Sequence, residues 1–384
     1  MKVLHLLSDW KWTGPAEPVV NLCLALQDQG LEVVLACRTT PVPDYPVSIE
    51  GKAREKGLRV VTRFHLNRYL APMETIRDLW RLPGYVEQEG FQLINCHLSH
   101  DHVLGGWASR LSHVPVVRTN HKARPLEPTV GNRWLLNRWA DGLIEFSHLA
   151  AQSDARVFGL PGQRLLVVEG AVDLRRFDPN GPRADVRPAM GVSPQEVLVG
   201  VVARMQRHRR WDLLLQAMAL LAKRAPQVKL MILGRGTHMK EVALEPAIAM
   251  GLGGKVIFPG YRREDYVDYL HAMDMKVFLV PGSDGTCRAV REAMAMGKPV
   301  VATRRGILPE LVEDGKTGIL VDEDPEALAN AIERLALDAS LRESMARAAR
   351  DKALKSFSQE MQASEVARFY ERVVSLGPRR GGLD

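Results

Sequence analysis

Short apolar runs recur along this chain, each followed by a longer stretch in which apolar and polar positions mix. In the first half the runs fall at residues 2–7, 32–37, 59–62, 92–96, 115–118 and 142–145. Between them lie segments with helical spacing, such as residues 15–29, closed by Gly30, and residues 73–88 and 101–111. A strand buried on both faces reads as a near-continuous apolar run, whereas a helix packed on a sheet shows an apolar stripe every three to four positions. The alternation predicts a parallel sheet with helices on both sides.

The pattern breaks at residues 178–188, where Pro179, Pro182 and Pro188 join Asn180 and Gly181 in a polar span suited to an interdomain linker. It then restarts, with apolar runs at residues 197–203, 228–233, 255–258, 275–280, 299–302 and 318–321. Asp324-Pro325-Glu326 is a helix opening, with a capping carboxylate, a proline in the first turn and an early acid. The expected organisation is α/β throughout: a doubly wound, Rossmann-like domain over residues 1–182, a second over 183–357, and a C-terminal helix over 358–384 that crosses back to the first.

Composition narrows the class. With 384 residues, 46% hydrophobic and 25% charged, the chain can bury full cores and is not a disordered polymer. Its longest apolar runs fall well short of the roughly 18–20 residues that span a bilayer. Residues 1–7 run straight into Ser8-Asp9, too short for a secretory core, so a cytoplasmic location is expected. The four cysteines are scattered, without metal or disulfide spacing, and read as reduced thiols. The net charge of +7 favours anionic partners.

In open parallel sheets ligands bind beyond the carboxyl ends of the strands. After residues 197–203 comes Arg204-Met205-Gln206-Arg207-His208-Arg209-Arg210, four arginines and no acid leading into a helix near Trp211. Guanidinium groups beside a helix start make an anion site; a solvated basic loop is the plain alternative. After residues 275–280, Asp284-Gly285-Thr286-Cys287-Arg288 leads to Glu292. Carboxylates there suit paired sugar or ribose hydroxyls, and the N–H groups of Gly285, Thr286 and Cys287 would be helix-start donors. An ordinary capped loop fits the same residues.

Taken in order, these segments resemble glycosyltransferase family 4, retaining enzymes with the two-domain GT-B architecture. Ala203-Arg204-Met205 with Arg209 resembles the family's G-R-L…K-G segment, arginine standing where lysine is usual. The span from Asp284 to Ala295 resembles its E-G-F-G…E-A-M-A signature, aspartate replacing the first glutamate. Residues 297–303 continue that signature, and Gly170-Ala171-Val172-Asp173 with Phe177 resembles the lead into the linker. The resemblance implies that Arg204 and Arg209 bind the donor diphosphate, that Glu292 takes the ribose hydroxyls, and that Asp284, Gly285, Thr286 and Cys287 hold the transferred sugar. Arg288, at the same helix start, is expected to meet an acidic sugar or phosphate. In the acceptor-binding half, Gly14 resembles the first glycine of a G-G-x-E loop, although Pro15 removes one N–H. His97 resembles the second histidine of an H-A-H segment, and His121 the family's site histidine, which orients the donor sugar and excludes water.

The implied reaction is retaining transfer from a nucleotide-diphosphate sugar, by same-face attack, to a glycan, lipid-linked or lipopolysaccharide acceptor in cell-envelope polysaccharide synthesis. No cofactor and no metal are expected, because arginines can neutralise the leaving diphosphate. The spacing of His97, His100 and His102 does not place them on one helix face, and Asp322-Glu323-Asp324 is better explained as a cap. Residues 133–139, with Trp134, Trp139, Arg133 and Arg138, fit either core packing or contact with an anionic membrane on its inner face. A nucleotide-sugar epimerase or hydrolase of the same fold is the rival enzyme. A basic nucleic-acid binder is the rival of another class, but no nucleic-acid module is present and no such partner is expected.

Overall fold

The computed structural model describes residues 1–12, 14–42, 45, 47–69, 71–281 and 287–379. The chain divides into two compact units, Ala171–Ser358 and, around it in sequence, Met1–Gly170 with the C-terminal helix Gln359–Leu376.

The first unit holds seven parallel strands: β1 (Lys2–Leu7), β2 (Glu32–Cys37), β3 (Arg59–Val61), β4 (Leu93–Cys96), β5 (Val116–Asn120), β6 (Gly142–Glu145) and β7 (Leu165–Val167). Their order is β3-β2-β1-β4-β5-β6-β7, so the winding reverses between β1 and β4. The second unit repeats the plan with β8 (Val197–Val202), β9 (Val228–Leu233), β10 (Val256–Gly260), β11 (Met275–Phe278), β12 (Val300–Thr303) and β13 (Gly318–Val321). Its order, β10-β9-β8-β11-β12-β13, reverses between β8 and β11. Both sheets are the doubly wound α/β kind that the alternation predicts. Strand β7, Leu165–Val167 at the sheet edge, was not among the expected runs.

One boundary differs from expectation. The second unit starts at Ala171 rather than at 183, because the linker is tied to that unit's own last helix. Val172 N–H donates to Phe357 O at 3.0 Å, and Arg350 donates to Phe177 O at 3.0 Å and pairs with Asp178 at 3.3 Å. The last helix, Gln359–Leu376, follows the helix Ala339–Ser356 after a break at Phe357-Ser358, where the sequence reading begins it.

The helix Gln359–Leu376 packs on the helix Ala16–Asp28 and on the sheet of the first unit. Phe369 and Val373 lie where a β-carbon on Gly142 of β6 would sit, 2.9 and 3.0 Å away. Tyr370 bonds Asn95 of β4 through its hydroxyl. Among the described residues, no helix is long and apolar enough to cross a membrane.

Candidate functional site

Polar side chains cluster at each of the two winding reversals. In the second unit, the loop after β8 and the loop after β11 meet: Arg209 Nη1 donates to Val280 O at 2.6 Å. Gly234 and Gly236, just beyond β9, press against the Ala203 and Met205 carbonyls of the same basic loop. A β-carbon at Gly234 would run into the Ala203 oxygen, and its φ of +145° is closed to most side chains. This Gly-Arg-Gly signal was not singled out from sequence.

The four arginines of the basic loop separate into distinct roles. Arg207 pairs with Glu241 at 2.9 Å, and Arg210 pairs with Asp212 at 3.2 Å and with Glu323. Arg204 is exposed, with no ion pair among the described residues. Glu323 also pairs with Arg305 at 3.2 Å, while Asp324 accepts from Ala327 N–H at 2.8 Å. That acidic triplet is thus spent on a helix cap and ion pairs.

Asp284, Gly285 and Thr286 lie outside the described residues. Beyond them Cys287 is buried and left-handed (φ 53°), and it opens the helix Arg288–Ala295. A non-glycine residue in that conformation is strained, and such strain concentrates at functional loops. Glu292 is 7% exposed. Its Oε2 accepts from the Tyr266 hydroxyl at 2.7 Å, and its Oε1 lies 3.3 Å from Arg288 Nε. Arg288, expected to face a ligand, thus pairs one turn along its own helix. Burial, with the Glu292 carboxylate next, holds the Tyr266 hydroxyl well above its ordinary value, so it stays a donor. Phe177 packs edge-on against Tyr266, ring centres 6.2 Å apart. Tyr266 escaped the sequence reading because its partner lies 26 residues away. Beyond β10, Arg262 stacks on Tyr269 and pairs with Asp265, while exposed Tyr261 carries Arg235 on its ring, 4.6 Å to the centroid.

Lys276, in the middle of β11, is fully buried and its ammonium has no hydrogen-bond partner. Burial lowers it to about 7, opposed by nearby Glu292.

In the first unit, three imidazoles form a chain. His5 Nδ1 lies 2.9 Å from His97 Nε2, and His97 Nδ1 lies 2.9 Å from His121 Nε2. The His5 and His97 rings stack, and His121 stacks on Phe146. Burial pushes His5 down to about 3; burial and then the neighbouring His121 hold His97 well below its ordinary value. Both ring nitrogens of His97 are taken and the residue is 1% exposed, which leaves it no atom for the acceptor contact expected from sequence. His5 looked like a core residue in an apolar strand, and nothing local marks it otherwise. Beneath this chain Asp101 is fully buried and ties the reversal together. It accepts from the N–H groups of Ser8 at 2.7 Å, Leu98 at 2.7 Å and His97 at 3.2 Å. Burial raises its carboxyl to about 6.

His102 turns away, its Nε2 donating to Trp139 O at 3.2 Å. Among the described residues no group of three His, Cys, Asp or Glu side chains could hold a metal ion. Gly14 is left-handed (φ 59°) immediately before Pro15 and the helix Ala16–Asp28.

Two doubly wound parallel units, each with its polar cluster at the reversal, define a GT-B glycosyltransferase. Residues 13–176 match the family described as Glycosyltransferase Family 4, and residues 183–352 match Glycosyl transferases group 1. The chain belongs to glycosyltransferase family 4. It is 35% identical to the D-inositol 3-phosphate glycosyltransferase of Corynebacterium jeikeium (strain K411), over 94% of this chain and 92% of that one. The same-named enzyme of Mycobacterium sp. (strain KMS) is 31% identical, over 79% and 73%. Among solved structures, HepE of Anabaena in complex with UDP superposes with a TM-score of 0.79 at 21% identity, covering 97% of this chain and 100% of that one. A glycosyltransferase from Rickettsia africae ESF-5 gives 0.82 at 14% identity, covering 97% and 98%.

Proposed function

We propose that this chain transfers a sugar from a nucleotide diphosphate to an acceptor hydroxyl with retention at the anomeric carbon and without a metal ion. One observation carries the proposal: Arg209 and Glu292 flank the same loop, Arg209 bonded to Val280 before it and Glu292 held by Tyr266 and Arg288 after it. In this reading Glu292 accepts from the ribose hydroxyls, since each of its oxygens has a second lone pair to offer. Arg204 and Arg209 meet the diphosphate and stabilise the charge that grows on it as the bond to the sugar breaks. Asp284 and the N–H groups of Gly285, Thr286 and Cys287 receive the sugar.

His121 orients that sugar and excludes water, and His97 acts through it. His5 Nε2 is buried without a partner, and an orphaned N–H costs more than an orphaned acceptor. The proton therefore sits on His5 Nδ1, His97 accepts at Nε2 and donates from Nδ1, and His121 keeps its proton on Nδ1. The acceptor oxygen bonds to the anomeric carbon on the face the diphosphate leaves, and its proton passes to the departing phosphate oxygen.

The names of the relatives favour an acceptor that carries a phosphate, with lipid-linked and lipopolysaccharide acceptors sharing that chemistry, and HepE makes a uridine diphosphate sugar the first donor to try. The test incubates the chain with UDP-glucose and a chelator, with and without D-inositol 3-phosphate, and reads the product by NMR. An α-linked product formed only with acceptor is expected. A β-linked product, complete donor turnover without acceptor, or abolition by the chelator overturns the reading.

A further inference from the structure

The step from β3 to β4, then to β5, then to β6 runs in one direction across the first sheet. Right-handed crossovers then place the three connecting helices, Pro72–Glu89, Ser99–Ser112 and Val130–Trp139, side by side on one face. Each presents tryptophan outward: Trp80 is 88% exposed, Trp134 49% and Trp107 38%. Met73, Ile76 and Trp80 share one helix face by their spacing of three and four, and all are exposed. On the neighbouring helices Trp107 and Trp134 both pack on Trp139, ring centres 6.1 and 4.2 Å away. Trp139 itself fills the space above Gly106, where a β-carbon would come within 2.8 Å of it, so the second and third helices form one continuous surface. A cavity of about 240 Å³ opens there between Arg110, Trp134, Arg138 and Trp139.

The charge on this face is predominantly positive. Arg77, Arg81, Arg110, Arg133 and Arg138 form no ion pair among the described residues. The carboxylates of the same helices are largely committed elsewhere. Asp78 is buried and accepts from His65 and Leu66, Asp101 is buried at the sheet, Glu74 bonds Asn67, and Glu89 pairs with Lys2. Only Glu87, two turns past Trp80, remains exposed on the tryptophan side of its helix.

We propose that this three-helix face docks on an anionic bilayer surface, with Trp80, Trp107 and Trp134 at headgroup depth and Arg77, Arg81 and Arg138 against lipid phosphates. Tryptophan has an apolar body with one polar N–H and settles at the water–lipid boundary, and arginine phosphate pairing holds it there. A second copy of the chain is a poor occupant, because a two-fold contact would set this patch on itself and bring unpaired guanidiniums together. The surface is argued independently of sugar transfer, so it extends the proposed function without resting on it.

Flotation of the full chain with phosphatidylcholine vesicles, with and without phosphatidylglycerol, tests the proposal. Binding is expected only with the anionic lipid, accompanied by a blue shift in tryptophan emission. Arg77→Gln with Arg81→Gln should lower partitioning about twenty-five-fold, at about fivefold per arginine. Trp80→Ser should lower it at unchanged net charge, with thermal unfolding confirming that the variant is folded. Arg347→Gln with Lys355→Gln, on the second unit, removes the same charge and should leave binding intact. Equal binding to neutral vesicles, no binding at all, or an equal loss in the second-unit variant overturns the assignment. So does self-association that Trp80→Ser abolishes in the absence of lipid. Sugar transfer assayed on a soluble acceptor in the same variants separates a failure of docking from a failure of the catalytic reading.

Discussion

Tyr266 and Glu292 stand 26 positions apart in sequence, yet the phenolic hydroxyl of the first donates to the carboxylate of the second at 2.7 Å. The bond orients the acid that the proposed function assigns to the ribose, and it does so from a ring braced by Phe177. Tyr266→Phe should therefore weaken donor binding more than turnover. A hydrogen bond to a charged group contributes about 1.5–3 kcal/mol, so the dissociation constant for UDP should rise about tenfold or more. Calorimetric titration checks this, and an unchanged affinity would remove Glu292 from the donor site.

Acid should attack the first unit through its neutral histidines. His5 and His102 are held at about 3 in the folded chain against 6.5 when exposed. Between those values the unfolded chain binds the protons and the folded chain does not, so stability falls as pH falls through that window. Each group contributes a slope of about 1.4 kcal/mol per pH unit. His102→Gln keeps a donor for the Trp139 carbonyl but removes one titration. The melting temperature followed from pH 7 to pH 4 should fall less steeply in this variant than in the parent.

Lys276 behaves in the same sense at higher pH. With the folded ammonium at about 7 and the unfolded one at 10.5, stability is lost as pH falls through that interval. Lys276→Met fills the same space without a polar atom and should raise stability by about 1–3 kcal/mol near neutral pH. Denaturant titration at pH 7 and pH 10 should show the gain shrinking at the higher pH. A destabilised variant would mean that the ammonium has a partner in Glu292 strong enough to outweigh its desolvation.

Asp101→Asn removes a charge from a buried site and should nevertheless destabilise. The carboxylate accepts three N–H groups on two oxygens. An amide offers one oxygen, and its NH2 would face at least one of those donors. Leaving a buried donor unsatisfied costs about 1–3 kcal/mol, to be read as a lower midpoint in urea.

Most of the strands were legible because strands buried on both faces leave uninterrupted apolar runs, and such runs account for every strand except β7. The donor side was legible where chemistry clusters in sequence, as in the arginines after β8 and the stretch up to Glu292. Three of the expected sugar contacts, Asp284, Gly285 and Thr286, fall outside the described residues. Residues brought together by the fold alone were not legible. His5 sits in an apolar strand, Tyr266 opens a short helix, and Asp101 follows two histidines that draw the eye first. Residues 133–139 were ambiguous because they divide between two environments: Leu135 and Leu136 are core, while Trp134 is half-exposed.

The helix Gln359–Leu376 fills a groove over Gly142 in a unit whose other elements all precede residue 171. Translation delivers residue 170 long before residue 359, and the intervening domain is made and can fold meanwhile. The half synthesised first is thus completed last, with an apolar trough over β6 open to chaperones in the interval. A message cut short after codon 358 would yield a finished second half fused to an unfinished first.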